Sequence, residues 1–141
     1  MSIAASTAIM IVDALNASGL CTATMVYDPT VPLESLSTRR VVVVPSSLTV
    51  ERQTRDTHRF EAVCDIAIQA RLPDGGDVAA AIEEQMGLAD GIAFILPSIG
   101  AEQNVQHVTT EIPALYSPDD LRNLRVITTV LRVTYATVKA F

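Results

Sequence analysis

Hydrophobic positions along this 141-residue chain follow two different spacings, and the first segment has the spacing of a helix. Over Ile3–Ser18, apolar residues return every three or four positions, which predicts a helix with one apolar face. Ser2 or Ser6 can cap its start, and Gly19 is the residue type that most often ends a helix. We expect the helix to pack on a sheet through a face formed by Ile3, Ala8, Ile11, Val12 and Leu15.

Two strands and a linker come next. Residues 20–27 are rich in Thr, Val and Met and predict a first strand, which ends where Asp28 precedes Pro29. Residues 28–38 contain two prolines, so we expect an extended surface connection there. The four consecutive valines within residues 40–44 predict a second strand that is buried on both faces, and we expect Pro45 to end it.

The clearest alternation lies in residues 59–72, where every second position is apolar. The predicted buried face consists of Phe60, Ala62, Cys64, Ile66, Ile68, Ala70 and Leu72. This period of two predicts one strand whose other face is solvated or meets a partner. At about 3.3 Å per residue the strand measures roughly 45 Å, longer than most domains need. We therefore interpret the polar stretch 45–59 as a projecting, charged β-arm.

The second half of the chain predicts one more helix and two more strands. A turn at 73–76 precedes a helix capped by Asp77 that runs to about Leu96, and its apolar stripe is Val78, Ile82, Met86, Ala89, Ala93 and Leu96. Residues 104–112 and 125–138 predict strands, with a turn or single helical turn at 117–124 between them. The order α-β-β-β-α-β-β predicts a single α+β domain over residues 1–141, with a mostly antiparallel sheet and two helices packed on it.

The charge distribution is uneven. The net charge is −6, which argues against specific nucleic-acid binding. Residues 39–71 nevertheless carry six arginines against four carboxylates, so this segment has the opposite sign to the rest of the chain. Segments of opposite sign are what a self-complementary assembly uses to set orientation.

Patterns that carry catalysis or bind metals are missing from the sequence. Cys64 and Asp65 alternate to opposite faces of their strand, and His58 is about 20 Å from Cys64 along an extended chain. A pairing of His107 with a distant cysteine is left open. There is no CxxC, HxxxH or HExxH motif of the kind that holds zinc. We expect no enzymatic activity, no cofactor and no metal site.

The N-terminal apolar run does not have the features of a membrane anchor or a secretory signal. It is short, lacks a basic flank and is interrupted by Asp13. We therefore expect a soluble protein that is intracellular at synthesis. In that compartment Cys21 and Cys64 are expected to be buried, reduced thiols, with a disulfide left as the alternative.

The order of five segments resembles the tail terminator, or tail completion, proteins of long-tailed bacteriophages, including the lambda-type terminator. After the N-terminal helix the segments are YDPTVPLESL, VVVVPSS, RFEAVCDIAIQARL, VAAAIEEQMGLADGIAFIL and LRVTYATV. The resemblance covers nearly the whole chain, and it lies in size, element order and strand character.

The resemblance implies a subunit of a hexameric ring at the head-proximal end of the tail. Such a ring stops polymerisation of the tail tube and joins the tail to the head connector, without catalysis or a cofactor. The expected partners are a second copy, the tail tube protein and the head–tail connector protein. The expected location is the virion tail or neck, with the host cytoplasm during assembly. The candidate interface residues are Glu51, Arg52, Arg55, Asp56, His58 and Arg59.

Two other function classes stay open. A small cytosolic ligand-binding or regulatory α+β domain would hold its ligand between sheet and helices, and a small enzyme ranks third. A binding domain would not depend on the arm, whereas an assembly protein would.

Overall fold

A five-stranded sheet organises the computed structural model, which describes residues 2–27, 39–72, 77–116, 118–123 and 125–140. In chain order the elements are α1 (Ile3–Ser18), β1 (Ala23–Met25), β2 (Arg40–Arg52), β3 (Thr57–Arg71), α2 (Val78–Ile95), β4 (Gln106–Ala114), α3 (Pro118–Asn123) and β5 (Val126–Ala140). The strands lie in the order β1-β2-β3-β5-β4, and every neighbouring pair is antiparallel except β1 with β2. The predicted α+β fold, with two long helices and a mostly antiparallel sheet, is confirmed.

The first helix begins and ends as its sequence predicts. Ser2, rather than Ser6, is the N-cap, and its hydroxyl accepts a hydrogen bond from the backbone N–H of Ala5 at 3.1 Å. Gly19 ends the helix at φ 77°, a left-handed conformation that costs glycine little. The buried face of α1 consists of Ala5, Thr7, Ala8, Ile11 and Leu15.

The core lies between the two long helices and one face of the sheet, which we call the helix-side face; the opposite face is the open face. The helix-side face carries Val41 and Val43 of β2, the even-numbered residues of β3 and the odd-numbered residues of β5. The predicted buried parity of residues 60–72 is therefore confirmed. Tyr135 on this face donates its hydroxyl to the carbonyl oxygen of Leu96 at 2.6 Å and so ties β5 to the end of α2.

Of the stripe predicted for the second helix, only Ala89 and Leu96 are fully buried. The fully buried residues of the helix are Gln85, Ala89 and Ile92, while Val78, Ile82, Met86 and Ala93 are only partly buried. Asp77 caps the helix as expected, accepting from the N–H of Ala80 at 3.2 Å. The buried stripe thus begins with a polar side chain, Gln85, that the apolar pattern does not mark.

Gln85 is buried because the sheet offers it acceptors. The nitrogen of its side-chain amide, which carries two hydrogens, lies 3.1 Å from the carbonyl oxygens of Ile68 and Ile127 and 2.9 Å from the hydroxyl of Thr129, so two of these three acceptors share one hydrogen. Its own oxygen accepts from Arg39 Nε at 3.4 Å. A buried amide without such partners costs about 1–3 kcal/mol, so these bonds fix the position of α2 on β3 and β5.

The second strand does not end at Pro45, contrary to the sequence prediction. It continues to Arg52, and its register shifts where Pro45 faces Cys64 and Ser47 faces Val63, which leaves Ser46 as a bulge. Proline is tolerated because β1 pairs only with Val41–Val43, so no further strand among the described residues needs the missing N–H. The extra residue also switches the parity of everything beyond it.

The remaining elements lie near their expected positions, except that the first strand has only three of the eight expected residues. The first strand is shorter than residues 20–27, β3 begins two residues before residue 59, and α3 is the single helical turn predicted within 117–124. The linker 28–38 and the turn at 73–76 lie outside the described residues. None of the described helices is both long and apolar enough to span a membrane.

Both cysteines are free thiols, so the alternative of a disulfide is not realised. Cys64 is fully buried beneath the helices, whereas Cys21 is only partly buried. Burial, and secondarily the neighbouring charge of Asp65, raises the pKa of the Cys64 thiol to about 12. The Cys64 sulfur therefore remains a protonated, unreactive thiol at neutral pH.

Replacing Gln85 by leucine removes from the core the amide group that bonds to three acceptors on the sheet, while keeping a similar side-chain volume. We expect a loss of about 1–3 kcal/mol in the free energy of unfolding, measured by urea denaturation. The matched control is Glu84→Gln, because Glu84 is exposed and pairs with Arg39 only at the surface. That change should alter the free energy by less than about 1 kcal/mol. Equal effects of the two variants would contradict the account of Gln85.

Thiol labelling tests the burial of Cys64. At pH 8 a maleimide should modify Cys21 in the native protein while Cys64 stays unmodified, because its thiol is buried and its pKa is raised. Both residues should react in denaturant, as counted by intact-mass measurement. Rapid native modification of Cys64 would show that the core opens or that this packing is wrong.

Candidate assembly interface at the distal hairpin

The outer half of β2 and the start of β3 form a β-hairpin at one end of the sheet. We call residues 46–60 the distal hairpin. It is not a bare ribbon, because β5 continues beside it and Thr57 pairs with Ala140. The predicted arm 45–59 therefore exists as a hairpin whose second strand is backed by a third strand, and most of its residues are in strands rather than in a polar loop.

The turn of the hairpin is closed by its own side chains. The backbone N–H groups of Gln53 and Thr54 donate to the carbonyl of Thr57 at 3.1 and 3.3 Å, and the N–H of Thr57 donates back to the Thr54 hydroxyl at 3.1 Å. Arg52 Nε donates to the carbonyl of Thr54 at 3.2 Å, and its Nη2 reaches the carbonyl of Arg55 at 3.5 Å. Arg52 is therefore part of the turn as well as a surface charge.

Apart from Arg52, which braces the turn, the predicted interface residues fall into two groups. Glu51, Arg55 and Asp56 are exposed near the tip, and none of these three forms an ion pair with any described residue. Arg59 lies on the open face and binds Glu61 through two nitrogens at 3.0 and 3.2 Å, and His58 is half-buried on the helix-side face. Charge available to a partner is thus concentrated at the tip of the hairpin.

Apolar residues on the distal hairpin were missed by the sequence interpretation. Leu48 and Val50 are 41% and 53% exposed, and both lie on the helix-side face because the bulge at Ser46 switches parity. Being two residues apart on one strand, they form a continuous apolar strip rather than isolated contacts. The alternation of polar and apolar residues in SSLTVER indicates this strip, but the prediction that Pro45 ends the strand left these residues out of it.

The backbone of β2 is also available along this strip. Among the described residues, no strand pairs with the outward edge of β2 beyond the level of β1. Between Val44 and Arg52, the backbone groups of alternate residues bond to β3, and those of the residues between them face away from the sheet. Natural edge strands are usually protected by inward-pointing charges, prolines or short length. This one is long, regular after Ser47 and carries exposed aliphatic side chains. An edge of this kind accepts an additional strand.

Other surfaces offer less chemistry. An open groove of about 850 Å³ runs between α1 and residues 95–103, and Asp13 is the one titratable side chain among its described lining residues. His107 shares a hydrogen bond of 2.6 Å with the hydroxyl of Thr110 and meets the ring of Tyr135 edge-on. The described residues contain no cluster of three or more potential metal ligands.

Comparison with known proteins assigns no family. No protein-family model matches the chain, and no curated protein matches it. The likeness to phage tail terminators therefore stays a prediction from element order and strand character. The distal hairpin, with its unpaired edge and exposed aliphatic strip, is the candidate functional site.

Proposed function

We propose that the protein is a non-enzymatic structural subunit that assembles into a homo-oligomeric ring through the distal hairpin. The observation that carries the proposal is the outward edge of the outer half of β2, which no described strand covers, with Leu48 and Val50 exposed along it. Covering two aliphatic side chains and satisfying a row of backbone groups in one contact gives a neighbour both affinity and a fixed direction.

The tip charges give that contact its orientation. Glu51, Arg55 and Asp56 alternate in sign and have no ion pair with the described part of the chain, so a neighbouring subunit can engage them. Charged groups at the rim of an interface mainly steer association and select the partner, while the apolar centre supplies most of the affinity. Heterologous contacts of this kind close into a ring when the rotation between subunits permits.

The place of the ring is inferred from the resemblance to tail terminators. By that likeness it is a hexamer at the head-proximal end of a phage tail, where it ends polymerisation of the tail tube and joins the tail to the head connector. Its partners are then its own copies, the tail tube protein and the connector protein. The protein is found in the virion neck after assembly in the host cytoplasm.

The second candidate is a small ligand-binding or regulatory domain. The observation in its favour is the groove beside α1, lined by Ile9, Met10 and Asp13 among others. A ligand bound there would raise the melting temperature without involving the distal hairpin, which lies on different elements. Loss of assembly on changing the hairpin would separate the two functions.

Lysine substitution on the apolar strip should abolish the ring. We expect L48K/V50K to be monomeric by native mass spectrometry under conditions where the unchanged protein is a hexamer, either alone or with tube protein, because an inward-pointing charge blocks strand addition. The melting temperature should change little, since both positions are exposed. The matched control is Phe94→Lys, an 87% exposed aromatic residue on α2, which should keep the ring. A ring that survives L48K/V50K would contradict the proposed contact.

Charge reversal at the tip should weaken assembly without unfolding the protein. Arg55→Glu removes a guanidinium that has no ion pair with the described residues, so the free energy of unfolding should stay within about 0.5 kcal/mol of the unchanged protein. The dissociation constant of the ring should rise and should depend less on salt, as measured by sedimentation. The double variant R52E/R55E should also lower the melting temperature slightly, because Arg52 braces the turn. Unfolding by Arg55→Glu alone would show that the tip belongs to the fold.

A further inference from the structure

We propose that the ring is held by a strand pair in which the outer half of β2 of one subunit binds the outer edge of β4 of the next. This inference rests on the proposed function and names the surface that meets the distal hairpin. The occupant is a second copy of the chain, and the sheet continues from subunit to subunit.

The two strands are the free edges of the sheet at the same end. β4 has β5 on one side and no strand on the other among the described residues, and most of its residues are exposed or half-exposed. β2 is likewise open on its outward side beyond β1. Each subunit therefore offers, among its described residues, one row of unpaired backbone groups on β2 and another on β4, at opposite edges of the sheet. Two different edges of this kind are what a head-to-tail contact requires.

The register places Ser47–Thr49 of β2 and Gln106–Thr109 of β4 at the same height along the strands. Cross-strand partners can be followed from β2 through β3 and β5 to β4. Two rows result: Thr49, Glu61, Ala136 and Gln106 form one, and Leu48, Ala62, Tyr135 and His107 form the other. Because these parts of the β2 edge and the β4 edge stand at the same height, a rotation without translation along the strands brings the β2 edge of one subunit against the β4 edge of the next. That operation closes a ring instead of building an open filament.

Strand direction is also compatible. Each pair from β2 to β4 is antiparallel, so β2 and β4 run in opposite directions within one subunit. A rotation about an axis along the strands preserves these directions. The β4 of a neighbour then lies antiparallel to β2, which is the pairing with the better hydrogen-bond geometry.

The side chains and charges of the two edges are complementary. Leu48 and Val50 would meet the β4 region, where Val108 is 43% exposed at a bulge. The segment 46–59 has three arginines against two carboxylates, whereas 101–116 has two glutamates and no lysine or arginine. Opposite net sign favours β4 as the partner over a second β2, which would bring like segments together.

Disulfide trapping tests the pair directly. Thr49 and Gln106 are exposed, lie on the open face and stand on one cross-strand row. We would oxidise a T49C/Q106C variant in a Cys21→Ser background, keeping the fully buried Cys64. Companion variants combine Thr49→Cys with Thr109→Cys or Glu111→Cys, which share that face and cover a staggered register. The matched controls are T49C alone and Q106C alone.

On a non-reducing gel we expect at least one double variant to give a ladder of covalent species up to the full ring. Neither single-cysteine control should give this ladder. Covalent dimers from T49C alone would overturn the inference, because they show β2 pairing with β2 in a two-fold dimer. An intact ring that no double variant cross-links would also overturn it while leaving the proposed function in place. A chain that stays monomeric alone and with tube protein would overturn both.

Discussion

The uninterrupted pairing of β3 with β5 is the interaction on which the rest of the structure depends. All fifteen residues of each strand are matched, from Thr57 opposite Ala140 to Arg71 opposite Val126. The half of this pair that lies beneath the helices carries the core residues against which α1 and α2 pack. It also provides the carbonyl groups that bond to Gln85. The outer half of the pair extends the sheet towards the distal hairpin. One ladder therefore both stabilises the domain and presents the surface we assign to assembly.

A single extra residue in β2, next to this ladder, turns the side chains that we assign to an external contact. Without the bulge at Ser46, the alternation of β2 would place Leu48 and Val50 on the open face. With it, both join the helix-side face, beyond the part of β2 that β1 borders. Bulges commonly re-aim side chains at the edge of a sheet. The same region retains a regular backbone, so apolar contact and strand addition become available at one place.

Much of the fold follows from the sequence because it depends on local patterns. Period-two alternation marked β3 and its buried face, and the caps at Ser2 and Asp77 marked the helix starts. The burial of Gln85 could not be predicted, since its reason is a set of carbonyl groups on strands distant in sequence. At Pro45 the error was physical: proline stops a central strand, but no described strand pairs with the outward side of β2 at that position.

The candidate site was predictable in position but not in composition. The charged residues 51–59 indicated the segment that we propose for assembly, yet Arg52 and Arg59 bind within the chain, and the aliphatic strip was not recognised. The central claim, that the chain assembles into a closed ring, is most directly tested by negative-stain imaging of the purified protein, alone and with tube protein. The account predicts uniform rings of six subunits, by likeness to the tail terminators. Single particles of monomer size under both conditions would contradict it.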